Sequence, residues 1–388
     1  MIDKKIGIGL IGYKFMGKAH SSAYARIPMF FDLDAALELR AIAGRDEEWV
    51  AKSARRFGFS SYETNWKRLI ERDDIDVIDI TAPSNFHYEV AMAAAKAKKH
   101  IFCEKPLAFN TSAALEMYEA AKKAGIKHQV GFNYRFAPAI LLAKKLIQEG
   151  RLGKIYHFRG SYLQDYILDP NFPLVWRLDK SVAGSGSHGD LGAHVIDLAR
   201  FLVGEFFAVS GYQKTFIEKR PIVERMEGLS GAASKDAKLG DVTVDDATMF
   251  MTEFENGALG LFEATRFAAG HDNALTFEIN GEKGSIKFDL ERINELEYYN
   301  TEDPDDVRGF RTIQVTAGTH PYISAWWPPG HVIGYEHTFV HELYEFLNAI
   351  INDKETKPDF SDGVACCRIL DAVEESAKRH EWVKILEI

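Results

Sequence analysis

The chain places an acid and an imidazole at a spacing that could serve proton transfer. Asp190 and His194 are four residues apart, which puts both side chains on one face if the segment is helical. Histidine titrates near neutral pH and is therefore a natural acceptor for the proton of an alcohol. Capping and surface pairs use the same spacing, so the pair is a candidate that needs support elsewhere. Trp176 and Arg177, which precede the glycine-rich residues 184–192, are further candidates for the site.

A candidate lysine lies in the segment Glu104-Lys105-Pro106, directly after an apolar run at residues 100–103. The run predicts a parallel strand, and ligands bind beyond the carboxyl ends of such strands. A lysine there can hold or polarise a substrate hydroxyl, and Pro106 favours an extended conformation for Lys105.

A glycine-rich segment near the N-terminus indicates a nucleotide site. The literal pattern G-x-G-x-x-G begins at Gly7, but it lies within a predicted strand, whereas a phosphate-binding turn follows the strand and opens a helix. The frame that meets this requirement is Gly12-x-Lys14-x-x-Gly17. Lys14 stands where glycine is usual, so either the phosphates sit further out or the ammonium group compensates electrostatically. The remaining predicted contacts of this turn are Phe15 and Met16.

The residue that ends the second strand of such a domain discriminates between dinucleotides, since a carboxylate there binds the ribose 2′-hydroxyl. Here Gly44 occupies that position and Arg45 follows it. An uncharged residue beside an arginine can accommodate a 2′-phosphate, so the sequence favours NADP over NAD. Two alternatives stay open: Arg45 stacks on the adenine or is solvated, and Asp46 reaches the ribose.

Strand and helix patterns alternate along the first 132 residues. Apolar runs predict strands at residues 6–11, 39–43, 77–82, 100–103 and 127–131. Helical patterns lie between them at residues 16–25, 47–57, 86–97 and 112–124. This alternation predicts a doubly wound, mostly parallel sheet in a dinucleotide-binding domain at residues 1–132.

The pattern changes in residues 133–388, which we predict to form the substrate-binding domain. Strands are predicted at residues 155–162, 206–216, 248–255, 258–266, 275–279, 285–288 and 382–386, and helices at 138–149, 194–202, 336–351 and 362–378. Asn256-Gly257 predicts a hairpin, and a second hairpin turns between Gly281 and Gly284. These features predict an α/β domain with a largely antiparallel sheet. The polar residues 221–240 predict an exposed loop.

Composition and charge exclude several classes of protein. The chain has 388 residues, of which 46% are hydrophobic and 27% charged, the balance of a folded globular protein. A formal net charge of −10 and the lack of a strongly basic patch argue against nucleic acid as a partner. No apolar run is long enough to span a membrane, and we find no secretory signal. Cys103, Cys366 and Cys367 form neither a disulfide framework nor a zinc-site spacing, so we expect a cytoplasmic protein without a metal.

Several ordered segments together resemble one protein family. They are Gly12…Gly17-Lys18-Ala19-His20, Thr81-Ala82-Pro83-Ser84-Asn85-Phe86-His87, Glu104-Lys105-Pro106, Asp190-x-Gly192-x-His194-x-x-Asp197 and Gly281-Glu282-Lys283-Gly284-Ser285. The set resembles the Gfo/Idh/MocA oxidoreductases, which include glucose-fructose oxidoreductase and inositol dehydrogenase. The resemblance covers essentially the whole chain and is closest to levoglucosan dehydrogenase-like members, followed by inositol dehydrogenase-like members.

The resemblance implies a Rossmann domain followed by an α/β domain with an open, predominantly antiparallel sheet, which commonly forms the interface of a homodimer or homotetramer. It implies NAD or NADP as cofactor and Lys105, Asp190 and His194 as the catalytic group. His194 would be the general base, and the other two would orient the substrate. The residues that it implies for the cofactor cleft are Pro83, Asn85, His87, Glu104, Lys105, Trp176 and Arg177. Lys14 and Gly44 depart from the commonest family pattern.

The aromatic and polar residues that follow the first domain suit a sugar, whose ring faces contact aromatic rings and whose hydroxyls contact polar groups. The predicted substrate-binding residues are Lys105, Tyr134, Tyr162, Gln164, Asp190 and His194. The predicted function is an NAD(P)-dependent dehydrogenase that reversibly oxidises a secondary hydroxyl of a cyclic polyol or sugar, an inositol or a levoglucosan-like pyranose. The alternatives are a sugar oxidoreductase that recycles a tightly bound cofactor and a non-catalytic nucleotide-binding sensor.

Overall fold

The computed structural model describes residues 4–223 and 237–387. Its helices are α1 (Phe15–Phe30), α2 (Glu47–Phe57), α3 (Trp66–Ile70), α4 (His87–Lys96), α5 (Thr111–Ala124), α6 (Pro138–Gln148), α7 (Lys180–Ala183), α8 (Ala193–Leu202), α9 (Tyr335–Ile351) and α10 (Phe360–Arg379). Its strands are β1 (Lys5–Ile11), β2 (Ala36–Ala43), β3 (Ser61–Glu63), β4 (Val77–Ile80), β5 (His100–Cys103), β6 (His128–Val130), β7 (Ile155–Leu163), β8 (Phe206–Lys214), β9 (Lys219–Pro221), β10 (Leu239–Asp241), β11 (Ala247–Phe254), β12 (Leu259–Thr265), β13 (Ala274–Gly281), β14 (Gly284–Asp289), β15 (Glu295–Asn300), β16 (Arg311–Gln314) and β17 (Val383–Lys384).

The chain divides into two compact units. The first consists of residues up to 133 together with 335–367, and the second of residues 134–334 and 368 onward. Residues 335–367, which we predicted to lie in the second domain, therefore belong to the first unit. The reason is that α9 packs against α1, with the ring of Tyr335 against Phe15 and that of Phe339 against His20. The predicted boundary at residue 132 stays a prediction.

The first unit is built on a six-stranded parallel sheet in the order β3-β2-β1-β4-β5-β6. This is the strand order of a Rossmann domain, so the predicted doubly wound fold is confirmed. Every residue of β4 is buried, as expected for a strand covered on both faces. Gly7, which opens the misleading G-x-G-x-x-G pattern, lies in β1, where a Cβ atom would overlap the carbonyl oxygen of Asp74. The absence of a side chain there serves strand packing.

Local sequence explains how the helices of the first unit begin and end, as α2 illustrates. The Asp46 carboxylate accepts a hydrogen bond from the backbone N–H of Trp49 and thereby caps the helix. Glu47 and Glu48 in the first turn and basic residues in the last turn complement the helix dipole. Gly58 ends the helix in the left-handed conformation, at φ 84°.

The second unit contains a nine-stranded sheet in the order β16-β15-β14-β13-β7-β12-β11-β8-β17. Neighbouring strands are antiparallel except for β7 and β12, which run parallel. The predominantly antiparallel sheet and both predicted hairpins, β11–β12 and β13–β14, are thus confirmed. Phenylalanine rings stack on the buried face, where Phe262 lies between Phe158 and Phe250 at centroid distances of 5.1 and 4.5 Å.

Three local predictions need correction. Helical backbone was expected from residue 194, but it begins with a π-helical turn at His188–Gly192 that continues into α8. The predicted loop at 221–240 starts and ends in the paired strands β9 and β10, while residues 224–236 lie outside the described residues. Strands β3, β15 and β16 and the short helices α3 and α7 were not predicted, because their segments are short or strongly polar.

Among the helices at residues 4–223 and 237–387, none is long and apolar enough to cross a membrane.

Candidate active site

The glycine-rich turn between β1 and α1 has the geometry of a phosphate site. Gly12 has a φ of 110°, and a Cβ atom there would lie 2.8 Å from the backbone of Thr81. At Gly17 a Cβ atom would overlap the carbonyl oxygen of Gly12, so the first turn of α1 packs tightly on the loop. The helix begins without a side-chain cap at Lys14 and without an acid in its first turn. Its backbone N–H groups and the positive end of its dipole therefore fit a pyrophosphate. The predicted turn residue Phe15 is exposed, and Met16 is partly buried.

The segment after β4 holds three predicted cofactor residues. Pro83 precedes a 3₁₀ turn that contains Asn85, whose side-chain oxygen is buried without a hydrogen-bond partner in the structure. That oxygen is an acceptor available to an N–H or O–H group of a ligand. His87 is buried instead, and its ring nitrogens lie 2.9 Å from the carbonyl oxygen of Pro106 and 3.1 Å from that of Ala82. Its side chain therefore joins two strand-end loops.

A buried network of ionisable side chains lies beneath Lys105. The Nδ1 atom of His20 is 2.9 Å from a carboxylate oxygen of Asp79, and its Nε2 atom is 3.0 Å from Oε1 of Glu104. The Tyr24 hydroxyl donates a hydrogen bond to Asp79. Burial opposes a charge on His20, but the two carboxylates outweigh it and raise the pKa of His20 well above its usual value. The backbone N–H of Lys105 donates to the other oxygen of Glu104, so the network fixes the backbone at Lys105.

In the second unit, Asp190 lies in the π-helical turn. The Asp245 carboxylate holds the start of this turn by accepting hydrogen bonds from the backbone N–H groups of Gly186 and His188. Arg266, which is fully buried, donates from Nη2 to Oδ2 of Asp190 at 2.8 Å. The Nε atom of Arg177 lies 3.9 Å from the same oxygen, so two guanidinium groups flank this carboxylate.

His194 is surrounded by aromatic and polar side chains. Its ring lies 4.5 Å from the ring of Tyr134 and 5.9 Å from that of Tyr162, measured between centroids. The two tyrosine hydroxyls are 2.9 Å apart, and that of Tyr162 donates to Oδ1 of Asn273. Gln164 donates to the same Asn273 oxygen at 2.8 Å. The structure thus brings four predicted substrate residues together in the second unit: Tyr134, Tyr162, Gln164 and His194. Asp190 lies in the same unit, whereas Lys105 lies in the first. The Trp176 ring, predicted to contact the cofactor, stacks under the guanidinium of Arg177.

Asp197, part of the family motif, has a structural environment. Its carboxylate forms a bidentate pair with Arg135, at 2.8 Å to Nε and 2.5 Å to Nη2. Both side chains are buried, which leaves this carboxylate committed to an ion pair that fixes α8 to the segment after β6. Two parallel N–H···O bonds give such a pair strong orientation.

Several residues of the site were missed by sequence reasoning: Tyr13, Asp79, Asp245, Arg266 and Asn273. One sequence signal could have found one of them. Asp79 is a charged residue inside a short apolar strand, and such a residue is buried only with a partner. Arg266 directly follows β12, but only the parallel pairing of β12 with β7, seen in the structure, shows that it lies at the same end of the sheet as Gln164. No local pattern marks Asp245 or Asn273. Within residues 4–223 and 237–387, no group of three or more histidine, cysteine, aspartate or glutamate side chains is arranged to hold a metal ion.

Comparison with known proteins matches both parts of the chain. Residues 6–132 match the model described as an oxidoreductase family with an NAD-binding Rossmann fold, and residues 140–287 match the GFO/IDH/MocA C-terminal domain. Levoglucosan dehydrogenase of Pseudarthrobacter phenanthrenivorans is 47% identical over 99% of both chains. The chain belongs to the GFO/IDH/MocA oxidoreductase family. It is therefore an oxidoreductase that acts on CH–OH groups, as the sequence predicted.

Further similar proteins agree with this assignment. Myo-inositol 2-dehydrogenase of Thermotoga maritima is 27% identical and spans 98% of this chain and 99% of its own length. A solved structure of levoglucosan dehydrogenase in complex with NADH and levoglucosan has a TM-score of 0.93 at 47% identity, covering 98% of this chain and all of that one. An oxidoreductase domain protein from Kribbella flavida also has a TM-score of 0.93 at 47% identity, over 98% and 99% of the two chains.

Replacing Asp197 by alanine tests its structural role. The change leaves the Arg135 guanidinium buried without its carboxylate, so we expect the free energy of unfolding to fall by about 3–5 kcal/mol. Asp305→Ala is the matched control, because Asp305 is exposed and its pairing with Arg308 should contribute at most about 1 kcal/mol. Denaturant unfolding of both variants measures the difference. Equal, small losses would show that the buried pair does not stabilise the second unit.

Proposed function

We propose that the chain is a nicotinamide-dependent dehydrogenase that reversibly oxidises a secondary hydroxyl of a cyclic sugar to the ketone, with a levoglucosan-like pyranose as the preferred class and inositols as the second. The observation that carries this proposal is the environment of His194. An imidazole packed against the Tyr134 ring and beside the hydrogen-bonded Tyr162, Asn273 and Gln164 combines a base with aromatic rings and polar groups. A pyranose presents the matching apolar faces and hydroxyls.

In the proposed reaction, Lys105, Asp190 and His194 form the catalytic group. The bound nicotinamide supplies the hydride acceptor. His194 takes the proton of the reacting hydroxyl at a ring nitrogen, and the Lys105 ammonium donates a hydrogen bond to the oxygen as negative charge develops on it. Asp190 accepts a hydrogen bond from the substrate and orients it. Arg266 holds the Asp190 carboxylate in place, which restricts the positions that the substrate can take.

The proposed cofactor contacts fall into two sets. The glycine-rich turn contributes Gly12, Lys14, Phe15, Met16 and Gly17. The other proposed contacts are Arg45, Pro83, Asn85, Glu104, Lys105, Trp176 and Arg177, with His87 acting through the loops that it joins. The open N-terminus of α1 and the unpartnered oxygen of Asn85 support these assignments.

The reaction is tested by following absorbance at 340 nm with both dinucleotides against levoglucosan, inositols and common hexoses. We expect turnover with a levoglucosan-like substrate. His194→Ala and His194→Asn should each reduce kcat by about 10²–10⁴-fold, the typical contribution of a general base. NADH binding, followed by fluorescence, should persist in both variants.

The control is His271→Ala, since His271 is exposed. Turnover by His194→Ala at the wild-type rate would remove the base assignment. Absence of turnover by the wild-type protein with every sugar and polyol would contradict the proposed substrate class.

NAD(H) is the dinucleotide named in the solved levoglucosan dehydrogenase complex. We propose that this chain also accommodates NADP, and favours it, through Arg45. This guanidinium is exposed beside Gly44, and it lies 5.7 Å from the ring of Phe86, so stacking on an adenine is compatible with the same position. The Asp46 carboxylate caps α2 and is occupied there.

Arg45→Ala tests the 2′-phosphate assignment. Loss of a charge-assisted hydrogen bond of about 1.5–3 kcal/mol should weaken NADPH binding about 10- to 100-fold. NADH binding should change much less. Arg56→Ala, which removes an exposed arginine from the last turn of α2, serves as the control. Titration calorimetry measures the dissociation constants of both dinucleotides for the wild type and the two variants, and equal losses for both dinucleotides in Arg45→Ala would refute the role of Arg45.

We further propose a homodimer or homotetramer in which a second copy of the chain covers the outer face of the nine-stranded sheet. Met249, Met251, Leu259 and Leu261 on this face are each about half exposed. Basic and acidic side chains stand among them: Arg159, Lys287, Arg292, Glu263, Glu278 and Glu297. A face of mixed charge around apolar side chains is self-complementary. The three cysteines are buried and form no disulfide, which is compatible with the proposed cytoplasmic location.

Light scattering tests the assembly. We expect a mass that is two or four times that of the chain, and Met251→Glu with Leu261→Glu should reduce it, because charges without partners would be buried. Val307→Glu places a charge at another exposed apolar residue and should leave the mass unchanged. A monomeric wild-type protein would exclude the proposed interface.

A further inference from the structure

We propose that Tyr13 and Gly44 act as a coupled pair that determines dinucleotide selectivity, with the Tyr13 ring occupying the place where other Rossmann domains carry the ribose-binding carboxylate. This inference rests on the proposed dinucleotide site. It explains why glycine directly follows β2, and it assigns a specificity role to Tyr13, which the glycine-rich motif treats as variable.

The geometry couples the two residues directly. A Cβ atom added at Gly44 would overlap the Cδ1 and Cε1 atoms of Tyr13. Position 44 can therefore carry a side chain only if the ring moves. The backbone around it is fixed, because the Gly44 N–H donates to the carbonyl oxygen of Glu63 and the Gly12 N–H donates to that of Ala43.

The ring is held where it lies. Tyr13 packs against the buried cluster that consists of Leu10, Ile42, Val50, Ala54 and Phe59. The cluster is formed by β1, β2, α2 and the residue that follows Gly58, so it anchors the ring to the framework of the first unit. Displacing the ring costs these contacts and leaves a cavity beside the cluster.

The charges around Tyr13 and Gly44 differ from those of a Rossmann domain that carries a carboxylate at the position of Gly44. Asp46, the nearest acid along the chain after Gly44, accepts a hydrogen bond from Trp49 N–H and caps α2. Burial raises the pKa of Tyr13, the negative charge of Asp46 adds to the rise, and the positive charge of Arg45 opposes it. The phenol is therefore neutral and lies within electrostatic reach of both charged side chains. A ribose at this position would meet a neutral hydroxyl and the Arg45 guanidinium. Because residue 44 has no carboxylate, nothing at this position repels a 2′-phosphate or accepts a hydrogen bond from a 2′-hydroxyl.

A double-mutant cycle tests the coupling, using Gly44→Asp, Tyr13→Ala and the two changes together. The readouts are the dissociation constants of NADH and NADPH and the thermal unfolding midpoint without cofactor. Gly44→Asp alone should lower the midpoint and weaken both dinucleotides by similar factors, because the ring is forced out of place. Adding Tyr13→Ala should recover part of the lost unfolding temperature, because the ring no longer competes for the space. The double variant should also prefer NADH over NADPH by about tenfold or more, because the new carboxylate accepts a charged hydrogen bond from the ribose instead of leaving space for a 2′-phosphate.

Two controls sharpen the cycle. Gly309→Asp adds a carboxylate where no atom lies within 4 Å of the new Cβ, and it should change none of the readouts. Tyr13→Phe with Gly44→Asp keeps the ring and should behave like Gly44→Asp alone. Gly44→Asp that shifts selectivity as far as the double variant, at an unchanged midpoint, would overturn the proposal. Failure of the wild-type protein to bind either dinucleotide would overturn the dinucleotide site as well, whereas normal binding with additive effects would overturn the pair alone.

Discussion

The first unit depends on one buried charge cluster, in which His20 stands between Asp79 and Glu104. Two carboxylates inside a parallel sheet repel one another and lose their hydration, and only a cation between them makes their burial tolerable. The imidazole supplies that cation from α1, whereas the carboxylates come from β4 and the residue after β5. The same cluster explains Gly131, where a Cβ atom would lie 3.0 Å from Oε1 of Glu104. The same buried cluster thus stabilises the core and fixes the backbone position of Lys105.

The second unit uses the same principle with arginine instead of histidine. The buried guanidinium of Arg266 orients Asp190, and that of Arg135 holds Asp197 on the following helix. The first pair leaves its carboxylate partly exposed, at 29%, and the second leaves its carboxylate buried. This difference in exposure separates a carboxylate that can meet a ligand from one that fixes the fold, although both belong to the same short motif.

Sequence reasoning predicted the fold class because periodicity and turn chemistry are local. The parallel pairing in the first sheet follows from the alternation of strands and helices, and the hairpin at Gly257 follows from one dipeptide. It did not predict that α9 packs in the first unit, since nothing within residues 335–351 encodes the distant partner α1. Gly44 was predicted as the position that discriminates between cofactors, but the Tyr13 ring, which leaves no space for a side chain there, lies at a distant point of the sequence. Arg266 was missed for the same reason: its importance comes from the pairing of β7 with β12.

That single parallel pair also bears on how this unit can diversify. Parallel neighbours cannot be joined by a tight turn, and after β7 the chain leaves the sheet through α7 and α8 before it returns in β8. Gln164, Trp176, Arg177, Asp190 and His194 all lie in this connection, residues 164–205. Insertions and substitutions within this connection can alter which ligands are accepted while the nine strands keep their register. Most of the predicted site residues of the second unit are therefore carried by one continuous stretch of sequence, so a single replaced segment would change several of them together.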